Sequence, residues 1–460
     1  MTARRPARTT AHAVLGVLVA LGACVYAGAP TGGAGIAPAA GPRSAVATAS
    51  GSDPPVPPPV RVAAPAGRAP GPAAGLRAPA RCDPPPRGAE VPAGPSPADR
   101  LQLAAAHRIA TGAGQLIAVI DTGVAPHPRL GSRLRGGGDY LTGGSGLDDC
   151  DGHGTAVAGL LAASRSADDE VVGIAPGADL LAIRQSSPSY TVPGPDGAPR
   201  PAGDLDTLAE AIVLAVRSGA DVVNVSEAVC LAPERAAAQG AALHAALGYA
   251  AGADVVVVAA AGNAGVGLCA EDEDAAGQVS LPGWYDELVT VGATGPDDAP
   301  APFSVPGPWV DVAGPGTAIR SLAVGGGVTA DPVSGTSFST PWVAGLAALV
   351  RERYPELTAA QVVDRILATA RRPPGGRDDR LGHGALDPVA ALTAEPAVLT
   401  PPGAVRTDPP TARLAGTTPV APQPPPPPVD LVAVAGLLAA AACAAATVRR
   451  RPTGAGPRAS

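Results

Sequence analysis

An aspartate, a histidine and a serine stand, in that order, in three short glycine-containing motifs of this sequence. Asp121 ends an apolar run, His153 lies between glycines where a helical pattern begins, and Ser337 precedes a long apolar helical pattern. A serine hydroxyl becomes an effective nucleophile when a base accepts its proton and a third group orients that base. The three residue types therefore predict hydrolysis of an acyl bond by nucleophilic catalysis.

Each of these residues also has a purely structural interpretation. Ser337 is suited to capping the helix that follows it, and Asp121 to ending a strand in a turn. His153 is also acceptable as an ordinary polar residue at a helix start. A structural interpretation needs a separate explanation for each of these three motifs and for a fourth motif, which ends at Asn263. A single catalytic mechanism explains all four.

The segments that carry these residues alternate between strand and helix patterns. The strand patterns cover 116–124, 220–226 and 253–261, and the helical patterns cover 207–218 and 236–251. Near-continuous apolar strands separated by helices predict a parallel sheet that is covered on both faces. Ligands bind at the carboxyl ends of such strands, which is where Asp121 and Asn263 stand.

Composition restricts the partners and the chemistry. The net charge is −7, and all 33 basic residues are arginine. With no basic block in the middle of the chain, we do not expect nucleic acid as a partner. The absence of lysine excludes Ser–Lys and Schiff-base mechanisms. No cysteine pair has C-x-x-C spacing, and the acidic run at 271–274 is more typical of a solvated loop than of a calcium site, so we predict no metal and no cofactor.

Both ends of the chain carry signals for export and membrane insertion. Arginines precede an apolar run at 13–21 and small residues follow it, which is typical of a secretory signal peptide. The uncharged apolar run at 431–448, followed by three arginines, predicts a membrane-spanning helix with a cytoplasmic C-terminus. A lipoprotein signal around Cys24 and a soluble C-terminal helix are the alternatives.

Proline-rich stretches separate these ends from a globular middle. The predicted boundaries are 1–29 for the signal peptide, 30–97 for a proline- and alanine-rich arm, 98–395 for the globular domain, 396–428 for a proline-rich linker, 431–448 for the transmembrane helix and 449–460 for a cytoplasmic tail. Because the arm lacks apolar periodicity, it predicts a spacer rather than a folded inhibitory domain.

Four cysteines lie in the part of the chain that export would place outside the cytoplasm: Cys82, Cys150, Cys230 and Cys269. An even number in an exported chain predicts two disulfides, with three possible connectivities. We favour Cys82–Cys150, which would tie the arm to the domain, and Cys230–Cys269, which would join two loops. Free buried thiols are the alternative.

The motifs resemble the signature blocks of subtilisin-like serine proteases. The blocks are IDTG around Asp121, HGTAVAG from His153 and GTSFSTP around Ser337, and their order is that of subtilisins. The AAGN segment that ends at Asn263 resembles the family's oxyanion block. The resemblance covers about 98–395 and implies a three-layer α/β domain, with a mainly parallel twisted sheet and helices on both faces.

Chemistry and resemblance together assign a role to each residue. Ser337 would attack the scissile carbonyl of a protein substrate, His153 would accept its proton, and Asp121 would orient and stabilise His153. The side-chain amide of Asn263 and the backbone N–H of Ser337 would stabilise the oxyanion.

The segment next to substrate departs from the family pattern. Subtilisins usually carry Ser-Leu-Gly there, whereas this chain has Ser226, Glu227 and Ala228. A carboxylate at this position would alter the floor or rim of the substrate cleft, so broad apolar specificity is not expected. The insertions at 187–203 and 265–282 are expected to border the cleft or contact partners.

The layout as a whole is similar to that of the mycosins, the membrane-anchored proteases of actinobacterial type VII secretion systems. The resemblance implies an extracytoplasmic catalytic domain at the cell membrane, few substrates, and association with the secretion complex. The competing function is a structural subunit that stabilises the complex and whose proteolysis is dispensable. A general degradative exoprotease is a further alternative.

Overall fold

The computed structural model describes residues 55–88, 96–270 and 277–395. The predicted signal peptide, linker, membrane-spanning helix and cytoplasmic tail lie outside the described residues, as does the acidic run at 271–274. Within the described part of the chain, no helix combines the length and the apolar character needed to cross a membrane.

Strands and helices alternate along most of the described chain. The strands are β1 (Arg87–Gly88), β2 (Leu116–Asp121), β3 (Leu134–Asp139), β4 (Asp179–Arg184), β5 (Ser187–Pro193), β6 (Pro199–Ala202), β7 (Val222–Val225), β8 (Val229–Leu231), β9 (Val256–Ala260), β10 (Val279–Leu281), β11 (Val289–Thr294), β12 (Val312–Pro315) and β13 (Val328–Thr329). The helices are α1 (Pro97–Arg100), α2 (Leu103–Ala106), α3 (His153–Ala162), α4 (Leu205–Arg217), α5 (Pro233–Gln239), α6 (Ala241–Gly252), α7 (Thr340–Arg353), α8 (Ala359–Thr369) and α9 (Pro388–Thr393).

One seven-stranded sheet organises the domain, in the order β12-β11-β9-β7-β2-β4-β3. Every neighbouring pair in it is parallel. Alternate side chains of β2 point to opposite faces, so Ile117 and Val119 belong to one buried core and Ala118 and Ile120 to the other. Helices α3 and α7 cover the first core, and α4 and α6 cover the second. The predicted three-layer α/β architecture with a parallel sheet is confirmed.

Helix α7 is buried around almost its whole circumference. Every residue from Thr340 to Val350 is buried, which is typical of a helix enclosed by protein on all sides. Pro341 lies in its first turn, where its missing N–H leaves no intrahelical bond unmade. A 3-10 turn, Thr336–Phe338, precedes the helix, so Ser337 lies in a tight turn fixed to a buried element.

The pattern at 236–251, predicted as one helix, forms two helices that meet at Gly240. The hydroxyl of Tyr285 donates a hydrogen bond of 3.1 Å to the Gly240 carbonyl. A Cβ atom at this position would lie 2.1 Å from that same hydroxyl oxygen. Glycine is therefore required where the two helices join, and the reason lies in a residue distant in sequence.

The described part of the arm is an extended strap on the surface of the domain. Arg77 and Thr191 exchange two backbone hydrogen bonds, of 2.8 and 3.0 Å. The guanidinium of Arg68 lies 2.8 Å from the carboxylate of Glu210, and β1 pairs with β13. Because backbone groups and single ion pairs make these contacts, the strap needs no apolar periodicity.

Candidate active site

The carboxylate of Asp121 and the imidazole of His153 are joined by a hydrogen bond of 2.7 Å between Oδ1 and Nδ1. Asp121 ends β2, a central strand of the sheet, and its side chain has no exposed surface. The backbone N–H of Thr122 donates a second hydrogen bond to Oδ1, at 2.7 Å. His153 begins α3 and keeps 29% of its side-chain surface exposed, so one edge of the ring remains accessible.

Two glycines allow the strand end and the helix start to approach closely. A Cβ at Gly154 would lie 2.0 Å from the carbonyl oxygen of Gly123. A Cβ at Gly123, where φ is +101°, would lie 2.1 Å from the carbonyl oxygen of Asp148. A larger residue at either position would separate the backbones that carry Asp121 and His153.

Asp149 fixes the first turn of α3, a role that sequence reasoning missed. Its Oδ2 accepts from the backbone N–H and the hydroxyl of Thr155, at 2.8 and 2.6 Å. Its Oδ1 accepts from the N–H of Gly152 at 2.8 Å and from the hydroxyl of Thr122 at 2.9 Å. Since Thr122 follows Asp121 directly, this carboxylate connects the strand end to the helix that carries His153.

A chain of polar side chains supports the turn that carries Ser337. The side-chain amide of Asn224 donates to the hydroxyl of Ser226 at 2.8 Å, and that hydroxyl donates to the Ser337 carbonyl at 2.9 Å. Asn224 lies on β7, so the sheet itself holds the serine turn in place. The adjacent Phe338 ring lies against His153, with ring centroids 5.1 Å apart.

Asn263 is held by Thr336, the residue before Ser337. Its Oδ1 accepts from the backbone N–H of Thr336 at 2.9 Å and from the Thr336 hydroxyl at 3.1 Å. Because both partners donate, the side-chain oxygen must face them and the NH₂ group is left available. The Thr336 hydroxyl also accepts from the N–H of Gly262 at 3.2 Å. Thr336 thus couples the Asn263 segment to the serine turn, and sequence reasoning did not identify it.

A cleft of about 310 Å³ brings together most of the predicted site residues. His153, Ser337 and Asn263 line it, as do all three residues of the segment Ser226-Glu227-Ala228. Asp121 lies behind His153 and does not line it. Both insertions contribute to the wall, 187–203 through Pro188 and Pro201 and 265–282 through Val266 and Cys269. Among the described residues of the strap, none lines the cleft.

Burial and neighbouring charges together raise the pKa of two side chains in the cleft. Burial alone lowers the pKa of His153, but the charge and hydrogen bond of Asp121, with the charges of Glu227 and Asp149, raise it to about 9. Burial and the charges of Asp121 and Asp151 raise the pKa of Glu227 to about 8, against the opposing effect of His153. The two groups interact, so their titrations are shared.

Two disulfides frame the site, in the connectivity favoured from the sequence. Cys82–Cys150 attaches the strap next to Asp149, and Cys230–Cys269 joins the middle of β8 to the loop that follows Asn263. Within the described residues, no group of three or more histidine, cysteine or acidic side chains is placed to hold a metal ion.

Comparison with known families and curated proteins gives a consistent match. The Subtilase family matches residues 112–384 of this chain. Mycosin-4 of Mycobacterium tuberculosis is 44% identical over 306 residues, which cover 63% of this chain and 67% of that protein. Mycosin-1 of Mycolicibacterium smegmatis is 42% identical over 327 residues, which cover 65% of this chain and 72% of that protein.

Solved structures show the same similarity in three dimensions. The MycP3 protease from the type VII (ESX-3) secretion system is 38% identical with a TM-score of 0.65, and the match covers 74% of this chain and 100% of that one. A chain in an intact ESX-5 inner membrane complex is 34% identical with a TM-score of 0.65, and the match covers 85% of this chain and 98% of that one.

Proposed function

The chain belongs to the subtilase family and to its mycosin group, and we propose that Asp121, His153 and Ser337 are the catalytic residues of this serine endopeptidase. The observation that carries the proposal is the 2.7 Å hydrogen bond that the carboxylate of Asp121 accepts from the imidazole of His153, a histidine that opens onto the same cleft as Ser337. Asn263, with its NH₂ group left unoccupied by Thr336, is assigned to oxyanion stabilisation.

In this mechanism Ser337 Oγ attacks the scissile carbonyl carbon while the free nitrogen of His153 accepts its proton. The buried carboxylate of Asp121 holds the ring in the required tautomer and stabilises the imidazolium. The Asn263 amide and the Ser337 N–H stabilise the oxyanion, and loss of one such donor costs about 100- to 1,000-fold in turnover. His153 then protonates the leaving amine, and water hydrolyses the acyl-enzyme through the same groups.

A fluorophosphonate probe tests this chemistry directly, because it reacts with an activated serine. We expect the purified full chain to be labelled at Ser337, as mapped by mass spectrometry, and the Ser337→Ala variant to remain unlabelled. Ser339→Ala is a matched control, since Ser339 is a buried serine two positions away that does not line the cleft. Labelling at a different serine, or none where a control protease is labelled, contradicts the assignment.

We further propose that the catalytic domain lies outside the cytoplasm, anchored by the apolar run at 431–448, and works with a type VII secretion complex. The similarity to chains of ESX assemblies supports the association, and the run followed by arginines supports the anchor. In a strain that lacks the secretion complex, a chain ending after residue 428 should be released into the medium, whereas the full chain should sediment with membranes. Retention of the shortened chain in the membrane fraction argues against the anchor.

The second candidate function is a structural subunit whose proteolysis is dispensable. It is favoured by the relatives found within the periplasmic assembly and the intact inner membrane complex of ESX-5. The Ser337→Ala variant separates the two in a strain that lacks the gene. If the variant restores secretion fully, the structural role is the biological one. If secretion fails while the variant protein accumulates normally, proteolysis is required.

A further inference from the structure

Glu227 is the only acidic side chain that lines the cleft within the described residues. It follows Ser226, whose hydroxyl holds the Ser337 carbonyl, so its backbone is fixed next to the serine turn. The hydroxyl of Ser186 donates a hydrogen bond to its Oε1 atom. No side chain in the described structure donates to Oε2, which leaves one carboxylate oxygen for a ligand.

The surrounding charges favour a positive group beside this carboxylate. Among the described residues, the negative charges of Asp121 and Asp151 act on Glu227, and the opposing positive charge comes from His153. No arginine lines the cleft in the described part of the chain. A carboxylate in such a setting is stabilised by a cation brought in with the substrate.

The neighbouring wall suits the stem of a long basic side chain. Ala228 lines the cleft beside Glu227, and Val266 contributes an apolar side chain that is 62% exposed. Arginine and lysine place their aliphatic stems along apolar surface while their charged ends reach polar partners. The guanidinium or ammonium group would then reach the free oxygen of Glu227.

We propose that Glu227 makes the enzyme select peptide substrates that place an arginine or lysine side chain in the cleft next to the scissile bond. This inference rests on the proposed hydrolysis at Ser337 and adds the substrate class to it. Small or acidic side chains at the same position would leave the Glu227 carboxylate without a counter-charge, and acidic ones would repel it.

The test compares peptides that differ only in one charge. Starting from an internally quenched peptide that the purified full chain cleaves, arginine or its neutral isostere citrulline replaces each residue in turn on both sides of the cleaved bond. We expect one position at which arginine raises kcat/KM about tenfold or more over citrulline, as a charge-assisted hydrogen bond would. In Glu227→Gln this ratio should fall to near one.

Glu234→Gln is the matched control, because Glu234 is an exposed carboxylate on α5 that does not line the cleft. It removes the same charge and should keep the arginine preference. A ratio near one at every position in the wild-type chain overturns the inference without relying on any variant. Retention of the preference in Glu227→Gln overturns it as well.

Fluorophosphonate labelling of the same samples separates this inference from the proposed function. A labelled chain without a preference for arginine overturns the role of Glu227 and leaves the assignment of Ser337 standing. A chain that is neither labelled nor able to cleave any peptide overturns the proposed function and this inference together.

Discussion

The side-chain oxygen of Asn263 receives both hydrogen-bond donors of Thr336, at 2.9 and 3.1 Å. The residue proposed to stabilise the oxyanion is therefore positioned by the residue that precedes the proposed nucleophile. Any displacement of the serine turn would move Asn263 with it. This connection couples the positions of the two proposed oxyanion donors, and electrostatic stabilisation of a transition state requires donors that are already in position.

Thr336→Val should lower kcat about tenfold and leave KM nearly unchanged. Valine keeps the shape of threonine but removes the hydroxyl between the Gly262 N–H and the Asn263 oxygen, so Asn263 loses one of its two positioning bonds. The unpaired buried N–H should also reduce the free energy of unfolding by about 1–3 kcal/mol. Steady-state kinetics and urea unfolding measure the two effects.

Thr290→Val controls for the loss of stability alone. Thr290 is a buried threonine on β11 whose hydroxyl donates to the Gly283 carbonyl at 3.0 Å, and it does not line the cleft. This variant should be destabilised by a similar amount but keep the wild-type kcat. Equal kcat values for the two variants would show that Thr336 has no role in positioning Asn263.

Asp121→Asn should reduce kcat about 10,000-fold, as expected when the histidine of a triad is held in the wrong tautomer. The asparagine amide is nearly the same size as the carboxylate, so KM and folding should change little. Asp311→Asn is the control variant and should keep the wild-type kcat. The Asp311 carboxylate does not line the cleft, and it accepts a hydrogen bond of 2.8 Å from the backbone N–H of Thr290. If kcat falls by less than tenfold in Asp121→Asn, the proposed role of Asp121 is wrong.

The parts of the fold that follow from local patterns could be predicted from the sequence. Apolar strands separated by helical patterns indicated the parallel sheet with helices on both faces. The motifs around Asp121 and Ser337 indicated which residues to bring together. In each case the information lies within a few neighbouring residues.

Features that depend on distant residues could not be predicted in this way. Thr336 holds Asn263 across 73 positions of the chain, and nothing near either residue indicates that bond. Asp149 lies in an acidic stretch in which residue type does not show which carboxylate will bind the first turn of α3. The strap is held by backbone pairing, by the Cys82–Cys150 bridge, by the Arg68–Glu210 ion pair and by isolated apolar contacts of Ala73 and Leu76, none of which produces a regular side-chain pattern in the sequence.

Replacing Cys82 and Cys150 together by serine should lower the free energy of unfolding by about 4 kcal/mol, because the bridge closes a loop with a sequence separation of 68. It should also free the strap, so that proteolysis removes it from the folded domain. The double variant Cys230→Ser/Cys269→Ser is the control, since it removes a bridge with a separation of 39 that does not touch the strap. Cleavage of the strap at equal rates in both double variants would show that the Cys82–Cys150 bridge does not retain it.

The value of kcat/KM should increase as the pH rises through about 9. In the proposed mechanism the neutral form of His153 accepts the proton from Ser337. The pKa of His153 in the free enzyme is raised to about 9, because the effects of Asp121, Glu227 and Asp149 outweigh that of burial. Glu227→Gln removes one of these negative charges, so the increase should move to lower pH. Because Glu227 and His153 titrate together, each midpoint describes the pair.

Rates measured with a neutral citrulline peptide isolate this effect from substrate charge. Glu234→Gln should leave the midpoint in place, whereas an unchanged midpoint in Glu227→Gln would show that Glu227 does not act on His153.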